Sequence, residues 1–103
     1  ILGVTVNTYK DMQKIDFNFL RNLNNKLLIS VEPIQNTFGY YFFEIIYKAF
    51  DWIHVGQESG NRKNKIKATP EMIKPFYNSH LPVFMKENIR GICSSSLRKE
   101  FPI

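Results

Sequence analysis

Four short apolar segments, separated by stretches at helical spacing, constrain the fold of this chain more than any other feature. They cover residues 2–6, 26–31, 52–56 and 81–86. In the first, Leu2, Val4 and Val6 alternate with small or polar residues, the period-two pattern of a strand with one apolar face. Helical segments of about 12 residues between strands are typical of βαβ units, because a parallel return must cross the face of the sheet. The sequence therefore predicts an α/β fold with a parallel sheet.

The intervening segments carry helix signals. Thr8 can cap a first helix, with Asp11 in its first turn. Apolar residues then recur at helical spacing at Met12, Ile15, Phe19 and Leu23. Residues 38–50 form a second helix, and the Thr69-Pro70-Glu71 sequence starts a third, which Pro75 should kink or shorten. We predict one α/β domain over residues 1–103, with about four strands and three helices.

The single cysteine limits the chemistry of this chain. Cys93 cannot form an intrachain disulfide, and structural zinc or iron–sulfur sites need several ligands. No triad-like pattern marks Cys93 as a nucleophile. The sequence also has no apolar run of about 18 residues and no leader pattern, so we expect no membrane span and a cytoplasmic location. Because Ile1 is not an initiator and already stands in an apolar strand pattern, we expect the chain to be a fragment.

The helix predicted at 38–50 is apolar almost all round. Such a helix is either covered on two sides or has lost a neighbour. This pattern suits a fragment or an oligomer, so self-association through the aromatic helix 38–50 is one expected interaction.

Polar residues accumulate where the predicted strands end. They are Thr5 and Asn7, Ser30 and Glu32, His54 and Glu58, and Lys86. In parallel α/β folds ligands bind beyond the carboxyl ends of the strands, so these side chains could share one rim. Each also has a simpler interpretation, a solvated strand end or a surface ion pair. We interpret His54 as a strand histidine with a hydrogen-bonded partner rather than as a ligand or base.

A basic loop at 61–67 carries most of the charge excess. It holds four of the fourteen basic residues, Arg62, Lys63, Lys65 and Lys67, in a chain of formal net charge +5. Such a loop could neutralise phosphates in a nucleic acid. A solvated loop is the simpler interpretation, since neither basic groups at helical spacing nor interleaved stacking aromatics accompany it.

Four strand-end segments also resemble, in order, motifs of the phage Gp thirty-seven/Gp sixty-eight family, which is radical-SAM-like. The segments are Leu2-Gly3-Val4-Thr5-Val6-Asn7, Ile29-Ser30-Val31-Glu32-Pro33, Asp51-Trp52-Ile53-His54-Val55-Gly56-Gln57-Glu58-Ser59-Gly60 and Pro82-Val83-Phe84-Met85-Lys86. The end of the chain, residues 97–102, is similar to the family's C-terminal end. His54 and Gln57 stand where the family usually has an apolar residue and a glycine.

The resemblance implies the C-terminal half of a partial TIM-like βα barrel from a phage or prophage protein. It implies contacts to S-adenosylmethionine (SAM) from Asn7, Ser30, Glu32, Gly56 and Glu58. It places Lys86 among the substrate contacts. The family's cluster-binding cysteines have no counterpart here, so no iron–sulfur cluster is expected in this chain alone. The alternative function is a non-catalytic module that binds nucleic acid or assembles, using the basic loop.

Overall fold

A computed structural model describes residues 2–23, 25–58, 67–92 and 96–101. The strands are β1 (Leu2–Val6), β2 (Leu27–Val31), β3 (Trp52–Val55) and β4 (Val83–Met85). The helices are α1 (Tyr9–Met12), α2 (Phe17–Arg21), α3 (Tyr40–Ala49) and α4 (Pro70–Tyr77), with a 3-10 turn at Glu87–Ile89.

The four strands form one parallel sheet in the order β1-β2-β3-β4. The predicted α/β class and parallel strands are therefore confirmed. The register aligns Val6 with Val31, Val31 with Val55, and Val55 with Met85. All four strands consequently end at one edge of the sheet, which we call the carboxyl edge.

The two faces of the sheet differ in burial. On one face the aliphatic side chains of β2, β3 and β4 are fully buried, together with Phe42 and Ile46 of α3 and Ile73 and Phe76 of α4. On the other face the aligned residues Ser30, His54 and Phe84 are only partly buried. We call this second surface the open face. Parallel sheets are usually covered on both faces, so the open face is the unusual feature of this fold.

The first helix was predicted to be continuous, and this prediction is wrong. It is divided into α1 and α2, because the Asp16 carboxylate accepts a hydrogen bond from the backbone N–H of Phe19 and begins a new helix. The predicted start of the last helix is confirmed: the Thr69 hydroxyl accepts from the N–H of Met72. Pro75 lies in the last turn of this short helix, α4.

The C-terminal segment pairs with the outer edge of β4. Lys99 forms an antiparallel bridge to Phe84, and the N–H of Met85 donates to the carbonyl of Arg98 at 2.7 Å. No local pattern in the sequence predicted this pairing. Among the described residues, none of the helices combines the length and the apolar character that a membrane crossing requires.

Candidate functional site at the carboxyl edge

Four residues, Asn7, Glu32, Gly56 and Lys86, make one row along the carboxyl edge. Each directly follows the last residue of a strand, and those last residues are aligned by the register of the sheet. The row belongs to the open face, because side chains alternate between faces along each strand. The structure thus brings together four of the predicted site residues, and we call them the edge row.

An ion pair closes across the row. The Lys86 Nζ lies 2.6 Å from Oε2 of Glu32, and Ser30 donates its hydroxyl to Oε1 of the same carboxylate at 3.0 Å. Gly56 lies between the two charged side chains. A Cβ atom at position 56 would stand 3.1 Å from Cδ of Lys86 and 3.3 Å from Oε2 of Glu32. Glycine at this position therefore lets the charged groups of β2 and β4 meet over the end of β3.

Asn7 joins the first strand to the same edge. Its side-chain amide donates to the carbonyls of Glu32 at 2.9 Å and Pro33 at 3.2 Å, on either side of a cis peptide junction. The backbone N–H groups of Asn7 and Thr8 donate to the Asp11 carboxylate and lower the pKa of that group. Asn7 therefore holds the loop after β2 in place, a role that the sequence did not predict.

A second network fixes the loop after β3. Gln57 and Asn88 exchange hydrogen bonds: the N–H of Gln57 donates to Oδ1 of Asn88 at 3.2 Å, and the Asn88 amide donates to the Gln57 carbonyl at 2.8 Å. The Gln57 side chain also donates to the carbonyl of Asn88 and accepts from the N–H of Ala68 at 3.2 Å. The sequence did not predict a role for Asn88, because no local pattern marks it. It lies at this edge because it closely follows the end of β4.

A shallow cavity of about 320 Å³ opens beside the edge row, lined by Glu32, Pro33, Gln57 and Glu58. Its size is at the lower end for small-molecule sites. Two of the four lining residues are glutamates, so its chemistry suits hydroxyl or cationic groups of a ligand, which donate to carboxylate oxygens.

His54 lies on the open face, two residues before Gly56 of the edge row. Its ring packs edge-to-face on Trp52, with centroids 4.2 Å apart, and against Phe84 at 5.3 Å. Among the described residues, its buried Nε2 has no hydrogen-bond partner, so the predicted partner is not found at that atom. Burial lowers the pKa of His54; the carboxylate of Glu32 opposes this shift and the ammonium of Lys86 adds to it.

The remaining predicted residues have different positions. Ser30 and Glu58 lie beside the edge row through the contacts and cavity above, and Thr5 is an exposed residue of β1 aligned with Ser30. Lys67 is exposed. Arg62, Lys63, Lys65 and Cys93 lie outside the described residues.

Comparison of the chain with protein-family models, with curated proteins and with solved structures gives no match. Within the described ranges, no group of three His, Cys, Asp or Glu residues is arranged to hold a metal ion.

Proposed function

We propose that this chain is the C-terminal part of a radical-SAM-like phage or prophage protein and contributes SAM or substrate contacts from the carboxyl edge of its sheet. The single observation that supports this most is the Glu32–Lys86 ion pair, which joins the ends of β2 and β4 over Gly56 beside the cavity. Convergence of polar groups at the ends of parallel strands is the usual setting of a ligand site in α/β proteins.

The residues around the cavity suit part of SAM. The carboxylates of Glu32 and Glu58 can accept hydrogen bonds from its ribose hydroxyls and ammonium group, and they favour its positive sulfonium. SAM, when bound to an iron–sulfur cluster, supplies the reductive radical chemistry of such enzymes. With one cysteine, this chain has too few thiolates for that cluster, so the cysteines would have to come from another segment or chain.

Lys86 has a different part in this proposal. Its ammonium is held by Glu32, yet its side chain is about half exposed, so it can also donate to an anionic group of a substrate. Glu32 and Ser30 would then position Lys86, while Asn7 and Gln57 fix the two loops that border the cavity.

Calorimetric titration of the chain with SAM and with S-adenosylhomocysteine tests the proposal. We expect SAM to bind more tightly, because only SAM carries the sulfonium charge that the carboxylates favour. Glu58→Gln should weaken SAM binding about tenfold, the loss expected for one charge-assisted hydrogen bond. Glu71→Gln, an exposed carboxylate on α4, serves as the matched control and should leave binding unchanged.

Absence of SAM binding, or equal affinities for the Glu58→Gln and Glu71→Gln variants, would contradict the proposal. Salt-dependent binding of an oligonucleotide, lost when Arg62, Lys63, Lys65 and Lys67 are replaced by alanine, would instead support the nucleic-acid alternative.

A further inference from the structure

A groove of about 420 Å³ lies between α2 and α3, on the side of α3 away from the sheet. Its walls include Phe17 of α2 and, on α3, Tyr41, Glu44, Ile45, Lys48 and Ala49. The α3 residues follow the spacing i, i+3, i+4, i+7, i+8, which places them on one stripe of the helix. The inner stripe of α3 is different and packs into the core through Phe42, Phe43 and Ile46.

The outer stripe is unusually aromatic for a surface. Tyr40 and Tyr41 are 73% and 75% exposed. Phe19, which is close to Phe17 in the sequence of α2, is 61% exposed. Exposed aromatic residues that border an apolar groove are typical of interaction surfaces rather than of a finished monomer surface.

The stripe is complementary to itself. In an antiparallel pair of α3 helices, Glu44 of each copy would face Lys48 of the other, and Tyr41 would face the small Ala49. Both pairs are centred on the same turn of the helix, at residues 45 and 46. A two-fold interface requires this kind of pattern, in which one surface offers both members of each contact. The large Tyr41 can enter the groove of the second copy where Ala49 leaves room.

We propose that the groove between α2 and α3 binds a second copy of this chain, through an antiparallel pairing of α3 helices. The contact is small, since ten helical residues extend about 15 Å. The dimer is therefore of the weak, concentration-dependent kind. This inference is independent of the proposed SAM site, which lies at the carboxyl edge of the sheet.

Charge exchange at positions 44 and 48 tests the pairing by sedimentation equilibrium over a wide range of concentration. Glu44→Lys gives a stripe with two positive charges, and Lys48→Glu gives a stripe with two negative charges. Each variant alone should dimerise about tenfold more weakly than the unaltered chain, because like charges then face each other at two symmetric contacts. An equimolar mixture of the two variants should form a heterodimer, and the double variant should recover the homodimer.

Controls separate the interface from folding. Lys48→Glu is the more informative single variant. Glu44 also hydrogen-bonds Tyr40 and raises the pKa of that tyrosine, so Glu44→Lys alters a contact within the monomer as well. Glu71→Lys and Lys74→Glu alter a similar pair of exposed charges on α4 and should leave the dimer unchanged. A chain that stays monomeric at every concentration would overturn the proposal. So would single variants that keep their dimeric mass, as expected of a dimer formed through the open face, or a mixture that fails to associate.

Discussion

Some residues near the carboxyl edge do not maximise the stability of the fold. His54 is the clearest case, because its buried Nε2 has no hydrogen-bond partner in the described part of the chain and its imidazole packs against Trp52 and Phe84. An unsatisfied buried polar atom costs about 1–3 kcal/mol. An apolar side chain of similar size at this position would avoid that cost, so the histidine is not explained by packing.

His54→Leu should therefore raise the free energy of unfolding by about 1 kcal/mol at neutral pH. The measurement is urea denaturation of both proteins, with His80→Leu as a control at an exposed histidine. A His54→Leu variant less stable than the unaltered chain would show that the ring makes contacts worth more than its unpaired nitrogen costs.

The same residue gives a pH dependence. Because the folded pKa of His54 lies below the ordinary value of 6.5, both states are neutral at high pH and its contribution to stability is then complete. As the pH falls below 6.5, the unfolded chain takes up the proton first, so stability decreases until the folded pKa is passed. We expect unfolding midpoints to fall between pH 7 and pH 5, and His54→Leu to lose this component. An identical fall in both proteins would contradict the assignment to His54.

Gly56 tests the ion pair of the edge row. Gly56→Ala brings a Cβ to 3.1 Å from the stem of Lys86 and to 3.3 Å from the Glu32 carboxylate, so one of them must move. We expect a loss of about 1 kcal/mol, within the range for overpacking. Gly3→Ala is the matched control in the same face, since its Cβ would meet Leu28 only at an ordinary 3.6 Å.

A double-mutant cycle locates the cause of that loss. Combining Gly56→Ala with Lys86→Ala should reduce the cost of the glycine change, because the nearest obstructing atom is then gone. Additive costs would mean that backbone freedom at Gly56, rather than the ion pair, explains the glycine.

At the scale of elements, the end of the chain shows what the sequence could and could not predict. Period-two and helical spacing located all four strands and the starts of α1 and α4, since these signals are local. The split at Asp16 was missed because apolar spacing continues through it from Ile15 to Phe19. The pairing of residues 96–101 with β4 was missed because it depends on contacts distant in sequence.

Arg98 holds that terminal segment to α4. Its guanidinium donates to the carbonyls of Phe76 at 2.9 Å, Ser79 at 3.2 Å and Tyr77 at 3.3 Å, and it pairs with Glu100 at 2.6 Å. The carbonyls of Phe76 and Tyr77 belong to the last turn of α4, where helices leave acceptors without partners, and Ser79 lies just beyond it. A planar fork with five donors can serve several of them at once, which one ammonium cannot.

Arg98→Lys should consequently lower the free energy of unfolding by about 2 kcal/mol, the order expected for charge-assisted hydrogen bonds. Lys99→Arg, at the next and more exposed residue, is the control and should change stability little. Chemical denaturation followed by Trp52 fluorescence suits the measurement, because the Trp52 indole N–H donates to the carbonyl of Glu100 and reports the docked segment. Equal stability of the two variants would mean that the carbonyls are satisfied equally well without the fork.

At the scale of the whole molecule, the candidate site was predictable from topology, while its internal contacts were not. Parallel strands end at one edge whatever their order, so polar residues after each strand had to lie there. Which groups pair across that edge depends on strand order. The order β1-β2-β3-β4 puts Gly56 between Glu32 and Lys86, and nothing local to any of these residues indicates that arrangement.

The two outer strands of the sheet, β1 and β4, are not equally covered, and this difference predicts which strand opens most easily. Beyond β4 lies the C-terminal segment, which accepts from and donates to that strand. On its other side β1 has no neighbouring strand within the described residues, and four of its five residues are exposed or only partly buried. Local opening is easiest where few buried contacts would be lost.

Hydrogen exchange should therefore be fastest in Leu2–Val6, slowest in Leu27–Val31 and Trp52–Val55, and intermediate in Val83–Met85. Mass spectrometry of peptides covering each strand measures this order, and Arg98→Lys should accelerate exchange in Val83–Met85 without changing Leu2–Val6. Equal protection of the first strand and the central pair would contradict the argument, because it would mean that a further contact covers the free edge of β1.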